Sequence, residues 1–433
     1  MKIIGLDIGT TSVSGVVLDA ETGSQIAAET ISNDATVVTE QWKHEQNAER
    51  ILEICQGLIC EFKGRYPDVY RIAITGQMHG IVYVGNKGEL LGNLITWQDE
   101  RGNQQYINGL SYAQYLSKAS GCLMSTGFGL TTHFYNTVNH LVPSKEVKLC
   151  TIMDYLAMML CGEKKPLIHI SNAASLGLFD ILNGRFDAAQ IKTLGMEPAV
   201  LPELIKDEKV IGITADGIEV MAPIGDNQAS TFAVLKEKGD ILLNIGTSSQ
   251  ISVACDEYVQ TEGLECRPYV GGRYLLLYAG LCGGVSFAVL NDFFRDVCKM
   301  FSVDVTKEDV FENMMREAQK AYGGSDLLEV STLFRGKRSD PMLRGSITNI
   351  GINNFTPANL ILGFYCGVVE ELYDAFAAVI ASHGEGRLLL AGNALRNNPL
   401  LQRICEEKFG RKAILMTQKE EAARGAAMLA MER

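Results

Sequence analysis

The pattern that most constrains this chain occurs twice. Lys2-Ile3-Ile4-Gly5-Leu6-Asp7-Ile8-Gly9-Thr10-Thr11-Ser12 opens it, and Ile241-Leu242-Leu243-Asn244-Ile245-Gly246-Thr247-Ser248-Ser249-Gln250-Ile251-Ser252-Val253 repeats it almost residue for residue. Each copy has an apolar run with β-branched residues, then a glycine, then a cluster of hydroxyl residues. That order reads as strand, turn, strand. In the first copy the second strand is Val13 to Leu18, ending at the turn signal Glu21-Thr22-Gly23. Two halves that start alike imply an internally duplicated fold with a cleft between the copies.

The turn chemistry suggests what the duplication is for. A tip carrying Gly, two Thr and a Ser presents backbone N–H groups and hydroxyls to one point. That is a phosphate cradle without a Walker-type lysine. One such tip also reads as an ordinary polar hairpin, but structural duplication alone gives no reason for two polar tips. Asp7 ends the first strand, where a carboxylate could hold Mg²⁺ beside phosphates. Asn244 holds the same place in the second copy, so the charged ligand is kept on one side only. A phosphoryl-transfer or ATPase function is the expectation.

Length and charge narrow the class. The 433 residues, 47% hydrophobic and 21% charged, suit two α/β domains. A formal net charge of -12 and a pI near 5.1 argue against nucleic acid or an anionic membrane as the main partner. The 11 cysteines are scattered without CxxC pairs, with Cys55, Cys60, Cys161 and Cys405 in apolar segments. They read as reduced core thiols of a cytoplasmic protein. Neither a signal peptide nor a membrane span is legible.

Further motifs lie between and after the two hairpins. Helical spacing returns at Asn47 to Phe62, and a buried strand at Arg71 to Thr75 runs into Gly76-Gln77-Met78-His79-Gly80. A loop then carries Thr96-Trp97-Gln98-Asp99-Glu100-Arg101. The boundary between domains is placed after Pro223, giving 1–223 and 224–433. Gly225-Asp226-Asn227-Gln228-Ala229-Ser230 opens a helix, where Asp226 is either an N-cap or a general base for a sugar hydroxyl. His79, Trp97 and Asp99 offer hydrogen bonds and an apolar face to a sugar. Gly392-Asn393 with Asn397 forms a strand-to-helix turn that could hold an adenosine.

In this order the motifs resemble the FGGY carbohydrate kinases of the actin/Hsp70/sugar-kinase superfamily, over nearly the whole chain. The resemblance implies an α/β fold of two ribonuclease H-like domains, with ATP and sugar in the catalytic cleft between them. It implies Asp226 as catalytic base, and Asp7 with Asp226 near Mg²⁺ through water. Gln77, Met78, His79, Trp97, Asp99, Asp226 and Asn227 fall on the sugar side. Thr10, Thr11, Ser12, Gly246, Thr247, Gly284, Gly392, Asn393 and Asn397 fall on the nucleotide side. Within the family, Gly-Gln-Met-His-Gly with Trp-Gln-Asp is similar to sedoheptulokinases, then xylulokinases. Glycerol kinases carry an Arg-Glu pair where this chain has Met78 and His79. The expected far wall of the sugar site is Ser111–His140 and His169–Ser175, with Tyr115, His133, Asn172 and Ser175. The expected partners are a small-molecule sugar and a second copy of the chain.

Ser14 departs from the pattern, since the family usually has Lys or Arg there. That oddity motivates an alternative of another class: a non-catalytic sugar-binding or regulatory protein on the same scaffold. An ATP-switched assembly protein is a further alternative. The Met-His and Trp-Asp loops argue against it.

Overall fold

The computed structural model describes residues 1–37, 40–144, 146–337, 340, 342–382, 384–417 and 420–431. The chain forms two compact units. The first comprises Met1–Ala233, Arg267–Tyr274 and Lys419–Arg433; the second comprises Val234–Cys266 and Leu275–Gln418.

In the first unit, Lys2–Ile8 pairs antiparallel with Ser12–Asp19, which pairs antiparallel with Gln25–Ser32. On its other side Lys2–Ile8 runs parallel to Val69–Gly76, which runs parallel to Glu219–Met221. Val210–Ile213 forms the edge, and the short strand Ile224–Gly225 also pairs with Val69–Gly76. Both faces of the central strands are apolar because both are covered. Gly15 sits opposite Leu6, and a Cβ there would meet the Phe62 ring of the helix Ala48–Arg65 at 2.6 Å. Gly5 points to the other face, where a Cβ would lie 2.1 Å from the Ala423 carbonyl oxygen of the helix Glu421–Met431. The small residues of that last helix thus let it lie directly on the sheet. A second core in this unit, with Ile81, Leu116, Phe134, Leu149 and Ile168, carries the segments between the sheet strands.

The second unit has the same plan. Ile241–Ile245 pairs antiparallel with Ser249–Cys255 and parallel with Leu388–Ala391, which runs parallel to Ala413–Leu415. Tyr274–Gly280 and then Glu265–Pro268 lie beyond Ser249–Cys255. In both sheets the first strand has its hairpin partner on one side and, on the other, a parallel strand from much later in the unit. The likeness extends to a detail: Gly76 ends the parallel partner of Lys2–Ile8, and Gly392 directly follows that of Ile241–Ile245. A Cβ on either would lie 2.5 Å from the Ile8 carbonyl oxygen and 2.4 Å from that of Ile245, respectively. The first turn is the longer one, with Ile8 paired to Val13 but Ile245 to Ser249.

This partition differs from a boundary after residue 223. Ile224–Gly225 is a strand of the first sheet, so Asp226 and most of its helix belong to the first unit. The last helix returns there as well. Cys55 and Cys405 are buried thiols as expected, whereas Cys60 is exposed. Among the described residues no helix is long and apolar enough to cross a membrane.

Candidate active site

Three neighbouring parallel strands of the first unit end side by side. Asp7 is opposite Thr75 and Ile8 opposite Gly76; Ile224 is opposite Thr75 and Gly225 opposite Gly76. The Thr75 hydroxyl donates to the Ile224 carbonyl at 2.8 Å, and the Gln77 N–H donates to the Ile8 carbonyl at 3.0 Å. The Gly9 turn, Gln77-Met78 and Asp226 therefore emerge together at the carboxyl edge of the sheet. That is where open α/β sheets keep ligands. The sequence expectation put Asp226 in the other half from the first hairpin; it lies in the same unit as Asp7.

Asp226 is the first residue of its helix, and its carboxylate accepts the Asn227 N–H at 2.7 Å. It is thus cap-like and also shifted. Burial pushes its pKa from 3.8 up to about 6, while the Asn227 N–H and the Arg267 charge pull the other way. Asp7 is pushed up to about 7, first by burial, then by the charges of Asp226 and Glu420. Glu420 has a left-handed backbone (φ 58°) and accepts from the Thr30 hydroxyl at 2.9 Å. Thr30 is within 3.2 Å of the Ser14 hydroxyl, and Ser14 sits opposite Asp7 in the hairpin. So the position that would carry a cation instead starts a row of polar groups that runs from buried Ser14 through exposed Thr30 to another carboxylate.

Among the described residues no three His, Cys, Asp or Glu side chains converge as a metal cage. Mg²⁺ needs none, since it keeps waters and uses one or two carboxylates plus phosphates. The unfavourable charge on Asp7 is what a bound divalent ion would relieve, so these residues fit the ion.

The first tip is held from below. Asn33 donates to the Gly9 carbonyl at 2.9 Å, Gln46 donates to the Thr10 carbonyl at 2.7 Å, and Gln77 donates to Gln46 at 3.0 Å. Thr10 also accepts the Trp97 indole N–H at 2.9 Å, with the Trp97 side chain 47% exposed. Thr11 is exposed and Ser12 half-buried. Neither Asn33 nor Gln46 stood out in the sequence, because a lone amide after a strand carries no pattern.

The sugar-side residues divide. His79 stacks on Phe128 with ring centroids 4.9 Å apart, and its Nδ1 is 2.7 Å from the Ser175 carbonyl. Asn227 is half-buried. Met78 is part of the core, with its sulfur against Gly225. Asp99 has no exposed surface: it accepts the His44 N–H at 3.0 Å and binds the buried Arg101 guanidinium at 2.6 Å. Both side chains point inward and support the loops of the site. The expected far wall is also mostly structural. His133 bonds to the Tyr83 hydroxyl at 2.9 Å, Tyr115 stacks on Phe134, and Asn172 donates to the Pro223 carbonyl at 3.1 Å. The Ser175 hydroxyl lies 2.6 Å from the Asn172 carbonyl and also reaches that of Met78.

In the second unit, Asn244, Thr247 and Ser248 are exposed and Gly246 is half-buried. The helix Gly284–Met300 starts against this turn, its Gly284 and Val285 N–H groups donating to the Gly246 and Thr247 carbonyls at 2.7 and 3.1 Å. Gly392 takes a positive φ of 92° as the chain passes Ile245 and Asn244, and the short helix after it carries Asn393 and ends at Asn397.

Two β-sheets whose first strands are flanked alike, each with a hairpin tip of glycine and hydroxyls, define a duplicated actin-like ATPase fold. A sequence profile of the FGGY family of carbohydrate kinases, N-terminal domain, matches residues 2–230. The chain belongs to that family and is an ATP-dependent sugar kinase. It is 25% identical to the sedoheptulokinase of Homo sapiens over 472 aligned positions, covering 99% of this chain and 97% of that protein. Among solved structures it is similar to the gluconate kinase of Lactobacillus acidophilus (TM-score 0.83, 22% identity, 100% and 89% of the two chains). A xylulose kinase of the same organism gives 0.83 at 21% identity, again covering 100% and 89%. Sugar kinases of this family use ATP and a divalent metal.

Proposed function

We propose that this kinase transfers the γ-phosphate of ATP to a terminal hydroxyl of a ketose, with sedoheptulose ahead of xylulose. One observation carries the mechanism: Asp226 stands beside Asp7 at the common end of three parallel strands, with its pKa raised to about 6. Such a carboxylate is ionised at neutral pH yet is a better base than an ordinary one. It orients the sugar hydroxyl and takes its proton as the oxygen bonds to phosphorus, while the bond to the bridging oxygen breaks and ADP leaves. Magnesium held by Asp7, and by Asp226 through water, would neutralise phosphate charge. The Gly9–Ser12 turn presents N–H groups and hydroxyls to phosphate. Gly246, Thr247, Gly284, Gly392, Asn393 and Asn397 are proposed for the nucleotide. His79, Trp97, Gln77 and Asn227 are proposed for the sugar.

The choice of sugar rests on the Gln77-Met78-His79 and Trp97-Gln98-Asp99 motifs and on likeness to sedoheptulokinases along almost their full length. ADP release is measured with sedoheptulose, xylulose and glycerol at equal concentration, and without sugar. Sedoheptulose is expected to give the highest kcat/KM, and glycerol no useful rate. A glycerol preference overturns the branch, and a xylulose preference moves it one branch over. Ser14, 3% exposed, is the departure that motivated the alternative of a non-catalytic scaffold. Sugar-dependent ADP release with any member of the panel excludes that alternative.

A further inference from the structure

Behind Asp226 lies a buried chain of polar groups that none of the chemistry above uses. The N–H of Gly225, the residue before Asp226, donates to the Ser171 hydroxyl oxygen at 3.3 Å. Ser171 in turn lies 2.8 Å from Nδ1 of His169, and the Ser171 backbone N–H points to the same nitrogen at 3.3 Å. A backbone N–H can only donate, so Nδ1 carries the lone pair. Burial holds the imidazole below its ordinary pKa, so it is neutral and its proton sits on Nε2. Nε2 lies 3.9 Å from the Glu208 carboxylate oxygen, too far for a hydrogen bond, and the Lys206 backbone also bonds to the imidazole. The same oxygen accepts the N–H of Gly271 at 2.8 Å. His169, Ser171 and Glu208 are 0%, 1% and 3% exposed.

Three fully enclosed polar side chains are a costly way to fill space, because each needs partners that an apolar group would not. What these join is informative. One end holds the peptide that carries Asp226. The other end holds Gly271, in the segment that also brings Arg267, whose charge acts on Asp226, and Pro268, whose carbonyl accepts from Gln228 at 3.2 Å. We infer that Ser171, His169 and Glu208 are positioning residues that hold the Asp226 peptide against the Arg267–Tyr274 segment, fixing where the base points. The inference rests on the reading of Asp226 as the base. Misplacing such a group by about 1 Å can cost roughly a hundredfold in rate.

A double-mutant cycle tests it. Ser171→Ala removes one hydroxyl with little change in volume, and Glu208→Gln keeps an oxygen for the Gly271 N–H while removing the charge. Each is expected to lower kcat with sedoheptulose roughly ten- to a hundredfold, with KM for sugar and ATP within about threefold. In an Asp226→Asn background each should cost less than about twofold, because the group it positions is gone. An equal loss in both backgrounds would mean that these residues serve the fold alone, and the inference falls. Full activity of Asp226→Asn would instead overturn the base assignment, and the inference with it. A readout independent of turnover is the titration of Asp226 followed by carbon NMR in the enzyme without substrate. It is expected to move in both variants, and an unchanged curve overturns the inference whatever the rates.

Discussion

Replacing Asp226 by Asn should make the protein less active and more stable at once. In the folded state burial raises this carboxyl from 3.8 to about 6. A raised carboxylate pKa means that the ionised form is held less well by the fold than by water. The resulting penalty is absent below about pH 3.8, grows between there and pH 6, and is complete above about 6. At ~1.4 kcal/mol per pH unit, it amounts to at most ~3 kcal/mol. Asn removes the charge and keeps an oxygen that can accept the Asn227 N–H, whose pull on the charged form is already contained in that value. Asp7 also gains, because the Asp226 charge is the second cause of its own raised value. A net stabilisation of up to ~3 kcal/mol at pH 8 follows, visible as a rise of a few degrees in Tm. The gain should shrink towards zero at pH 4. Activity should fall by about 10²–10⁴-fold, as expected when a general base is removed. Melting curves of both proteins at pH 8 and pH 4 read the first effect, and ADP release with sedoheptulose reads the second. A variant that melts below wild type at pH 8 refutes the burial argument, and near-normal turnover refutes the base.

The remaining predictions concern the metal, the sheet and the loop. Asp7→Asn makes the first hairpin resemble the second, and should lower kcat and shift the Mg²⁺ titration while leaving sugar KM nearly unchanged; an unaltered Mg²⁺ titration counts against Asp7. Gly425→Ala would put a Cβ 1.8 Å from the Ala229 carbonyl oxygen, so overpacking should cost at least ~1–3 kcal/mol in a denaturant melt. Gly57→Ala, in an exposed helix interior with no neighbour within 4 Å, should gain up to ~1 kcal/mol, and equal effects at the two sites would refute the packing account. Arg101→Leu strands the buried Asp99 carboxylate and should destabilise the first unit by about 3–5 kcal/mol; a melt unchanged from wild type would show the pair is dispensable.

The hairpins were legible because strand, glycine and hydroxyl cluster recur in order, and repetition needs no knowledge of distant contacts. Local signals are legible in the same way: the Thr-x-x-Asp spacing of Thr306 and Asp309 is that of the capping box they form, and Asn398-Pro399 is the cap and first turn of the helix ending at Phe409. The unit boundary was not legible, because Ile224–Gly225 is a two-residue strand whose only signature is its pairing with Thr75 and Gly76. The helix Pro357–Ser382 buries Leu362, Phe364, Tyr365, Val368 and Val369 on more than one side, which blurs any amphipathic stripe. Within the site, a residue's type predicted its neighbourhood better than its role. Asp99 and Met78 lie in the expected loops, yet their surroundings turn them inward. Asn33, Gln46, Ser171 and Glu208 depend wholly on partners far away in sequence.

The order in which this chain is made bears on how it can fold. The first unit takes its opening 233 residues, then borrows 267–274 and the final stretch from 419 onward. Gly5, in the first strand, waits for Ala423 to cover it, and Ala229 for Gly425. A nascent chain emerging from the ribosome therefore exposes one apolar side of its first sheet throughout synthesis of the second unit. The two halves cannot mature as independent beads on a string. The earlier half finishes last, and a stalled or shortened product carries an uncovered sheet that invites chaperones or aggregation.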